Sequence, residues 1–192
     1  MKALLVLAAT ACCGLLTVPA GAEPHSFYTS IAARACASTH PKRNASEHEI
    51  VTERCRTPFG LTIVATYTGT SMQLAFLRPG ETREPQLGAS YGHGDMVEWR
   101  GQREGRRFVP ALAIVRLLFS TGAATRRSVL AILRIEQDRV CPVAFVDGGA
   151  PDANTLARTA ADDAVASCAA GEAKILGPAT EWAREARDRS RR

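Results

Sequence analysis

Two apolar runs in the second half of the chain constrain the fold more than any other feature of the sequence. Residues 129–135 and residues 140–146 are rich in β-branched side chains, and four polar residues separate the two runs. Apolar runs of this length, bounded by polar or turn residues, are typical of buried strands. We therefore predict two strands joined by a hairpin across residues 129–146.

A helix with a stripe of small side chains is predicted after this hairpin. Pro151 and Asp152 open it, and apolar residues then recur with the helical period of about 3.6 residues. The stripe consists of Ala153, Leu156, Ala157, Ala160, Ala161, Ala164 and Cys168. Because most of these side chains are single methyl groups, we expect the helix to lie close against a sheet.

Five further strands are predicted upstream, at residues 50–56, 61–67, 72–77, 96–100 and 108–119. Most of their connections are short and polar, which favours an antiparallel arrangement over a parallel sheet. The predicted fold class is therefore α+β. It is a single antiparallel β-meander of about six to seven strands, packed by the C-terminal alanine-rich helix and held by two disulfides.

The central strands lack the alternation that a half-exposed sheet shows. Residues 111–119 and 129–135 are apolar on both alternating faces. A sheet with one wet face alternates, so we expect these strands to be covered on both sides. The alanine-rich helix accounts for one side. The N-terminal segment, the tail, the sheet curling on itself or a partner would cover the other, and a second copy there would make a homodimer.

The first 22 residues are predicted to be an export signal. Lys2 precedes an apolar segment, and Ala20-Gly21-Ala22 has the small-x-small pattern of a cleavage site. Cleavage after Ala22 predicts a periplasmic or secreted protein with no transmembrane segment in the mature chain. The less favoured alternative is a lipoprotein acylated at Cys12, which lacks the usual leucine three positions upstream.

The mature chain is predicted to be one domain, at residues 23–171, followed by a charged C-terminal tail at residues 172–192. Thr180 is a candidate N-cap for a helix in this tail. We expect the tail to be solvated or disordered. Contact with an anionic envelope surface is the alternative.

Four cysteines remain after signal removal, and an exported chain oxidises them. We favour the pairs Cys36–Cys55 and Cys141–Cys168 because each brackets a local unit of structure. Each bridge would stabilise the fold by roughly 3 kcal/mol. A zinc site is disfavoured because no pair has the close spacing that such sites use, and no other metal or cofactor site is predicted.

The charge balance gives little support for a nucleic-acid partner. The sequence has 24 basic and 19 acidic residues, and removing Lys2 leaves 23 against 19. Five of the arginines lie in the last twelve positions, so the folded part is close to neutral.

Arg116 and Arg134 interrupt the apolar strands at matching places. The favoured interpretation is that they lie near the rim of the sheet, or pair with Glu98 or Glu136. The alternative is that they form an anion-binding spot inside a concave face.

The stretch at residues 81–95 is predicted to be the longest irregular loop, and such loops are often functional. Tyr91 and His93 lie in it, and Trp99 follows shortly after. We regard these three, with Arg116 and Arg134, as candidate binding residues. His93 could also act as a general base, but the spacing offers no nucleophile or acidic partner. No catalytic residue is therefore assigned.

Several short motifs between residues 61 and 168 carry a resemblance to known proteins. They are Glu98-Trp99-Arg100, Pro110-Ala111 with Ile114 and Arg116, Cys141 with Ala144-Phe145-Val146-Asp147, Pro151-Asp152-Ala153-Asn154, Ala157-Arg158 and Ala161-Asp162. On these motifs the chain resembles a group of small exported bacterial proteins with no assigned activity. A looser similarity of architecture is to periplasmic lysozyme inhibitors.

The sequence thus predicts a non-catalytic binding or envelope-associated module. Its partner would be a protein or a small anionic ligand. The alternatives are a lysozyme-inhibitor-like protein and a small hydrolase that uses His93.

Overall fold

Most of the chain after the predicted signal folds into two sheets and two helices. The computed structural model describes residues 25–39, 50–69, 71–82, 85–89, 91–120, 126–163, 168 and 172–190. The predicted signal and the candidate lipoprotein cysteine therefore lie outside the described residues. The strands of the described residues are β1 (His25–Ser30), β2 (Ala37–Thr39), β3 (Ile50–Arg56), β4 (Thr62–Thr68), β5 (Ser71–Leu77), β6 (Leu87–Ala89), β7 (Gly92–Glu104), β8 (Arg107–Ser120), β9 (Arg126–Ile135), β10 (Val140–Asp147) and β11 (Lys174–Leu176). Their α-helices are α1 (Ala153–Asp162) and α2 (Glu181–Arg189).

The strands form two sheets, so the prediction of a single meander is wrong. One sheet has the order β1-β7-β8-β9-β10-β11, and the other has the order β2-β3-β4-β5-β6. All neighbouring strands are antiparallel except β10 and β11. Each sheet is built largely from consecutive hairpins, which is the pattern that the short connections predicted. The chain changes sheet twice, between β1 and β2 and between β6 and β7, and β1 pairs with β7 rather than with β2.

All seven predicted strands are present, and four more were missed. The missed strands are β1, β2, β6 and β11. Three of them are only three residues long, and β1 is largely polar, so none carries a periodic apolar signal. Strand β6 lies inside the stretch predicted to be an irregular loop, with Leu87 and Ala89 buried.

The expectation that the central strands are covered on both faces is confirmed. Val115 and Leu117 of β8 belong to a core shared with the second sheet, together with Ile63 of β4. The opposite face of β8 and β9 forms a second core, in which Ile132 packs with the alanines of α1. Fully burying a large apolar side chain contributes about 1.5–3 kcal/mol. The second sheet therefore covers the face of β8 and β9 for which the sequence offered several alternatives.

Helix α2 packs on the core between the two sheets. The expectation of a solvated C-terminal tail is therefore wrong for residues 172–190. Ala183 and Ala186 are fully buried, and the ring of Trp182 lies 6.2 Å from that of Phe119. Thr180 is the N-cap, as predicted, and its Oγ1 accepts a hydrogen bond from the Ala183 backbone N–H at 3.3 Å. Small side chains let this highly charged helix approach the core.

Both predicted disulfides are present. Cys36–Cys55 has a Cα–Cα distance of 4.4 Å, and Cys141–Cys168 has one of 5.7 Å. The first bridge ties the end of the short 3-10 helix Ala33–Ala35 to β3. The second ties β10 to the segment after α1, which ends at Asp162 rather than continuing to Cys168. No described helix is both long and apolar enough to cross a membrane.

Candidate functional site

The five predicted binding residues do not form one surface. Trp99 is fully buried between the sheets, and its Nε1–H donates to Thr29 Oγ1 at 2.8 Å. It is therefore a core residue and does not line a ligand surface. Tyr91 is 53% exposed, so it lies in a different environment from Trp99.

Arg116 and Arg134 share a face of the sheet but are not neighbours on it. Arg116 is opposite Leu130 and Arg134 is opposite Leu112, so four residues along the strands, about 13 Å, separate them. Ile114 and Ile132 fill the space between. The interpretation of the two arginines as one anion-binding spot stays a prediction.

Each of the two arginines has its own local role. The Arg116 guanidinium donates to Ser128 Oγ at 2.8 Å and to Asn154 Oδ1 at 3.1 Å, and partial burial lowers its pKa. Arg134 lies near enough to Glu136 to help lower the pKa of that carboxyl, after the Cys168 backbone N–H and Arg139. Arg116 thus pairs with neutral groups rather than with Glu98, whereas the pairing of Arg134 with Glu136 stays a prediction.

His93 forms a hydrogen-bonded chain between the two sheets. Its Nδ1 lies 2.9 Å from the Gly94 carbonyl oxygen, and its Nε2 lies 3.0 Å from the Tyr67 hydroxyl. That hydroxyl donates to Glu53 Oε2 at 3.3 Å. Burial, followed by the negative charge of Glu53, raises the pKa of Tyr67. His93 is thus within hydrogen-bond reach of one hydroxyl, and the hydrolase alternative stays a prediction.

A charged network joins β1, β7 and α1 on the face of the six-stranded sheet that points away from the second sheet. The Glu98 carboxylate accepts from Arg158 Nε at 2.8 and 3.1 Å and from Ser26 Oγ at 2.6 Å. Burial alone would raise the pKa of Glu98, but these hydrogen bonds outweigh it, and the pKa lies below its ordinary value. The carboxylate is therefore held ionised by its partners.

Arg100 completes this network at the last turn of α1. Its Nε donates to Asp162 Oδ1 at 2.9 Å, its Nη2 donates to Asp162 Oδ2, and its Nη1 donates to Ser26 Oγ at 2.6 Å. Two arginines thus face two carboxylates, and the charges balance internally. We interpret the network as a structural tie that locks α1 and β1 to the sheet. All four charged residues lie in the motifs that carry the resemblance, but their spacing in the sequence does not indicate that they touch.

Strand β1 is one of the two edge strands of the six-stranded sheet, with β11 at the other edge, and it carries two exposed aromatic side chains. Its sequence, HSFYTS, contains no lysine, aspartate, glutamate or proline. Phe27 is 38% exposed and Tyr28 is 48% exposed. Edge strands are usually protected by such charges or by proline, because unpaired backbone groups pair readily with other chains. Within the described residues, nothing pairs with the outer edge of β1.

The direction of the unpaired backbone groups follows from one hydrogen bond. The Ile31 N–H donates to the Asp95 carbonyl at 2.8 Å, on the β7 side. Backbone groups alternate in direction along an antiparallel strand, so the N–H groups of Thr29 and Phe27 also point to β7. Those of Tyr28 and Ser30 therefore point outward, and a second strand could use them.

The two faces beside this edge differ in chemistry. On the inner face, Phe27 packs against Phe59 and Phe108, with ring centroids 5.2 and 5.7 Å away. On the outer face, the Tyr28 hydroxyl accepts from Arg158 Nη2 at 3.1 Å. Tyr28 and the 46%-exposed Met96 are diagonal neighbours on this face. The edge is thus flanked by aromatic rings on one side and by a polar and thioether surface on the other.

Comparison of the chain with family models, with curated proteins and with solved structures finds no match. In the part of the chain that the structure describes, no group of three or more histidine, cysteine, aspartate or glutamate residues is placed to hold a metal ion. The edge of β1 is the candidate site that the geometry itself supports.

Proposed function

We propose that this protein is a non-catalytic exported binding module that takes an extended segment of another protein onto the edge of β1. The observation that carries the proposal is the uncharged six-residue edge strand with Phe27 and Tyr28 exposed on opposite faces. Strand addition gives affinity through main-chain hydrogen bonds and specificity through alternate side chains.

The chemistry beside the edge indicates which segments would bind. Side chains of an added strand that face Phe27 and Phe59 would lie against aromatic rings, so apolar residues are favoured there. Alternate side chains would face Tyr28 and Arg158, where a hydrogen-bond acceptor or a carboxylate is favoured. The preferred partner is therefore an extended segment that alternates apolar and acidic or polar residues.

The compartment is part of the proposal. Two disulfides indicate an oxidising environment outside the cytosol. The predicted signal, with cleavage after Ala22, and the resemblance to small exported bacterial proteins favour the periplasm among such environments.

The experiment uses a peptide selected from a display library of extended random sequences on the disulfide-bonded protein. Residue-resolved amide exchange is then measured with and without that peptide. The amides of Tyr28 and Ser30, which point outward, should exchange fast in the isolated protein and slow in the complex. The amides of Phe27 and Thr29, already bonded to β7, should be slow in both.

Two variants at one position separate the backbone from the side chain. Tyr28→Pro removes the outward N–H but no hydrogen bond to β7, whereas Tyr28→Ala removes only the side chain. We expect Tyr28→Pro to weaken peptide binding well beyond Tyr28→Ala. Equal binding by the two variants, or peptides that protect only amides elsewhere, would contradict the proposal.

A further inference from the structure

Three phenylalanine rings close the space between the sheets at the end where β7 turns into β8. Phe59, in the turn after β3, lies 5.5 Å from Phe108 at the start of β8 and 5.2 Å from the buried Trp99. Phe27 joins them from β1. Phe59 and Phe108 are only partly buried, and Phe27 is exposed, so this aromatic end reaches the surface.

Exposed arginines surround the aromatic end. Arg103, Arg106 and Arg107 lie on the β7–β8 hairpin, and all three are exposed. Arg103 is directly opposite Phe108, so their side chains share a face of the sheet. Arg56, also exposed, ends β3 just before the turn that carries Phe59.

The charge of this end is not neutralised by its surroundings. None of these four arginines forms an ion pair with a residue that the structure describes. Glu104 lies opposite Arg107 on the hairpin, and Asp138 lies on the neighbouring β9–β10 turn. Four arginines against two carboxylates leave a net positive surface around an apolar centre.

We propose that this arginine–aromatic end, formed by Phe59, Phe108, Arg56, Arg103, Arg106 and Arg107, docks on an anionic phospholipid surface. Aromatic rings are favoured at the boundary between headgroups and acyl chains, and guanidinium groups pair with phosphates. Each cation near such a surface contributes to binding within a Debye length. The proposal goes beyond peptide binding because it uses neither the backbone edge of β1 nor the side chain of Tyr28.

The test measures co-sedimentation of the exported, disulfide-bonded protein with lipid vesicles. Vesicles of phosphatidylcholine alone are compared with vesicles containing about 30% phosphatidylglycerol, at about 50 mM and about 500 mM NaCl. We expect binding only to the anionic vesicles, and loss of that binding at the higher salt concentration. The triple variant Arg103→Gln, Arg106→Gln, Arg107→Gln should bind on the order of 100-fold more weakly.

A matched triple variant distinguishes a local surface from a net-charge effect. Arg127, Lys174 and Arg184 are also exposed and lie on β9 opposite Phe119, on the far edge strand β11 and on α2, away from this end. Changing these three to glutamine removes the same charge and should leave vesicle binding close to that of the unmodified protein. Equal loss in the two triple variants would overturn the proposal.

Two further results would also overturn it. One is no binding to anionic vesicles at the lower salt concentration. The other is binding of a soluble polyanion, such as a short single-stranded DNA, without binding of vesicles. Peptide binding is measured separately, by amide exchange at Tyr28. The peptide-binding proposal and the phospholipid proposal can therefore fail independently of each other.

Discussion

Arg158 on α1 donates its Nε hydrogen to both carboxylate oxygens of Glu98 on β7, at 2.8 and 3.1 Å. The Glu98 side chain is 12% exposed and that of Arg158 is 43% exposed. The helix is thus joined to β7, the strand next to the edge strand β1, by this partly shielded ion pair and by that of Arg100 with Asp162. We expect Glu98→Gln and Arg158→Gln each to destabilise the fold, and a double-mutant cycle to give a coupling of about 1 kcal/mol. Urea unfolding followed by tryptophan fluorescence measures this coupling, and additive effects would show that the contact is not energetically linked.

The same carboxylate predicts how stability depends on pH. The folded-state pKa of Glu98 is lowered, so the unfolded chain binds the proton more readily. The stabilisation is therefore present above the ordinary pKa of glutamate, and it is lost as the pH falls through the folded-state value. Glu136 also has a lowered pKa and adds to the dependence. Thermal unfolding between about pH 3 and pH 7 should show a shallower acid slope for Glu98→Gln. An unchanged slope would contradict this assignment.

Gly148 occupies a position with no room for a side chain. A Cβ there would lie 2.2 Å from Ser128 Oγ and 2.5 Å from Arg116 Nη1. Gly148→Ala should therefore break the Arg116–Ser128 hydrogen bond and cost about 1–3 kcal/mol. The neighbouring Gly149→Ala is the control, because its Cβ would meet only Asp147 Oδ1 at 3.1 Å. Chemical denaturation measures the free energy of unfolding of both variants. An equal decrease in the two would show that the close approach at Gly148 does not affect stability.

Helix α2 gives a direct test of whether the C-terminal segment belongs to the folded core. Ala186 is fully buried, whereas Arg184 on the same helix is exposed. Ala186→Glu buries an unpaired charge and should cost several kcal/mol, about 3 or more. Arg184→Glu, at an exposed position, should change stability by no more than about 0.5 kcal/mol. If the melting temperature of Ala186→Glu equals that of the unmodified protein, the helix does not pack as described.

The sequence predicted the long elements well because their signals are local. Strands such as β8 and β9 have long apolar runs, and the disulfide pairs follow from short separations along the chain. The four missed strands carry no long apolar run, and one of them, β1, is held by a partner distant in sequence, β7. Nothing in HSFYTS itself requires a strand. The hydrogen bonds from β7 and the packing of Phe27 on Phe59 create one.

The candidate site shows the same limit. Trp99 is predicted to be a binding residue, yet its side chain faces the core, and only the second sheet makes that face an interior. Arg116 and Arg134 were matched by their positions in two strands, but the register separates them by four residues. The contacts among Glu98, Arg100, Arg158 and Asp162 join segments about 60 residues apart, so the sequence does not indicate them.

By itself, the sequence determined the apolar strands, the alanine-faced helix, the two disulfides and the need to cover both faces of the central sheet. These properties depend on neighbours along the chain, whose spacing sets local geometry and periodicity. Only the tertiary structure decided that a second sheet and α2 provide the cover, and that β1 forms an uncharged edge with exposed rings. Such features depend on contacts between segments 70 or more residues apart, as in Thr29 with Trp99. Those contacts leave no periodic trace in either segment.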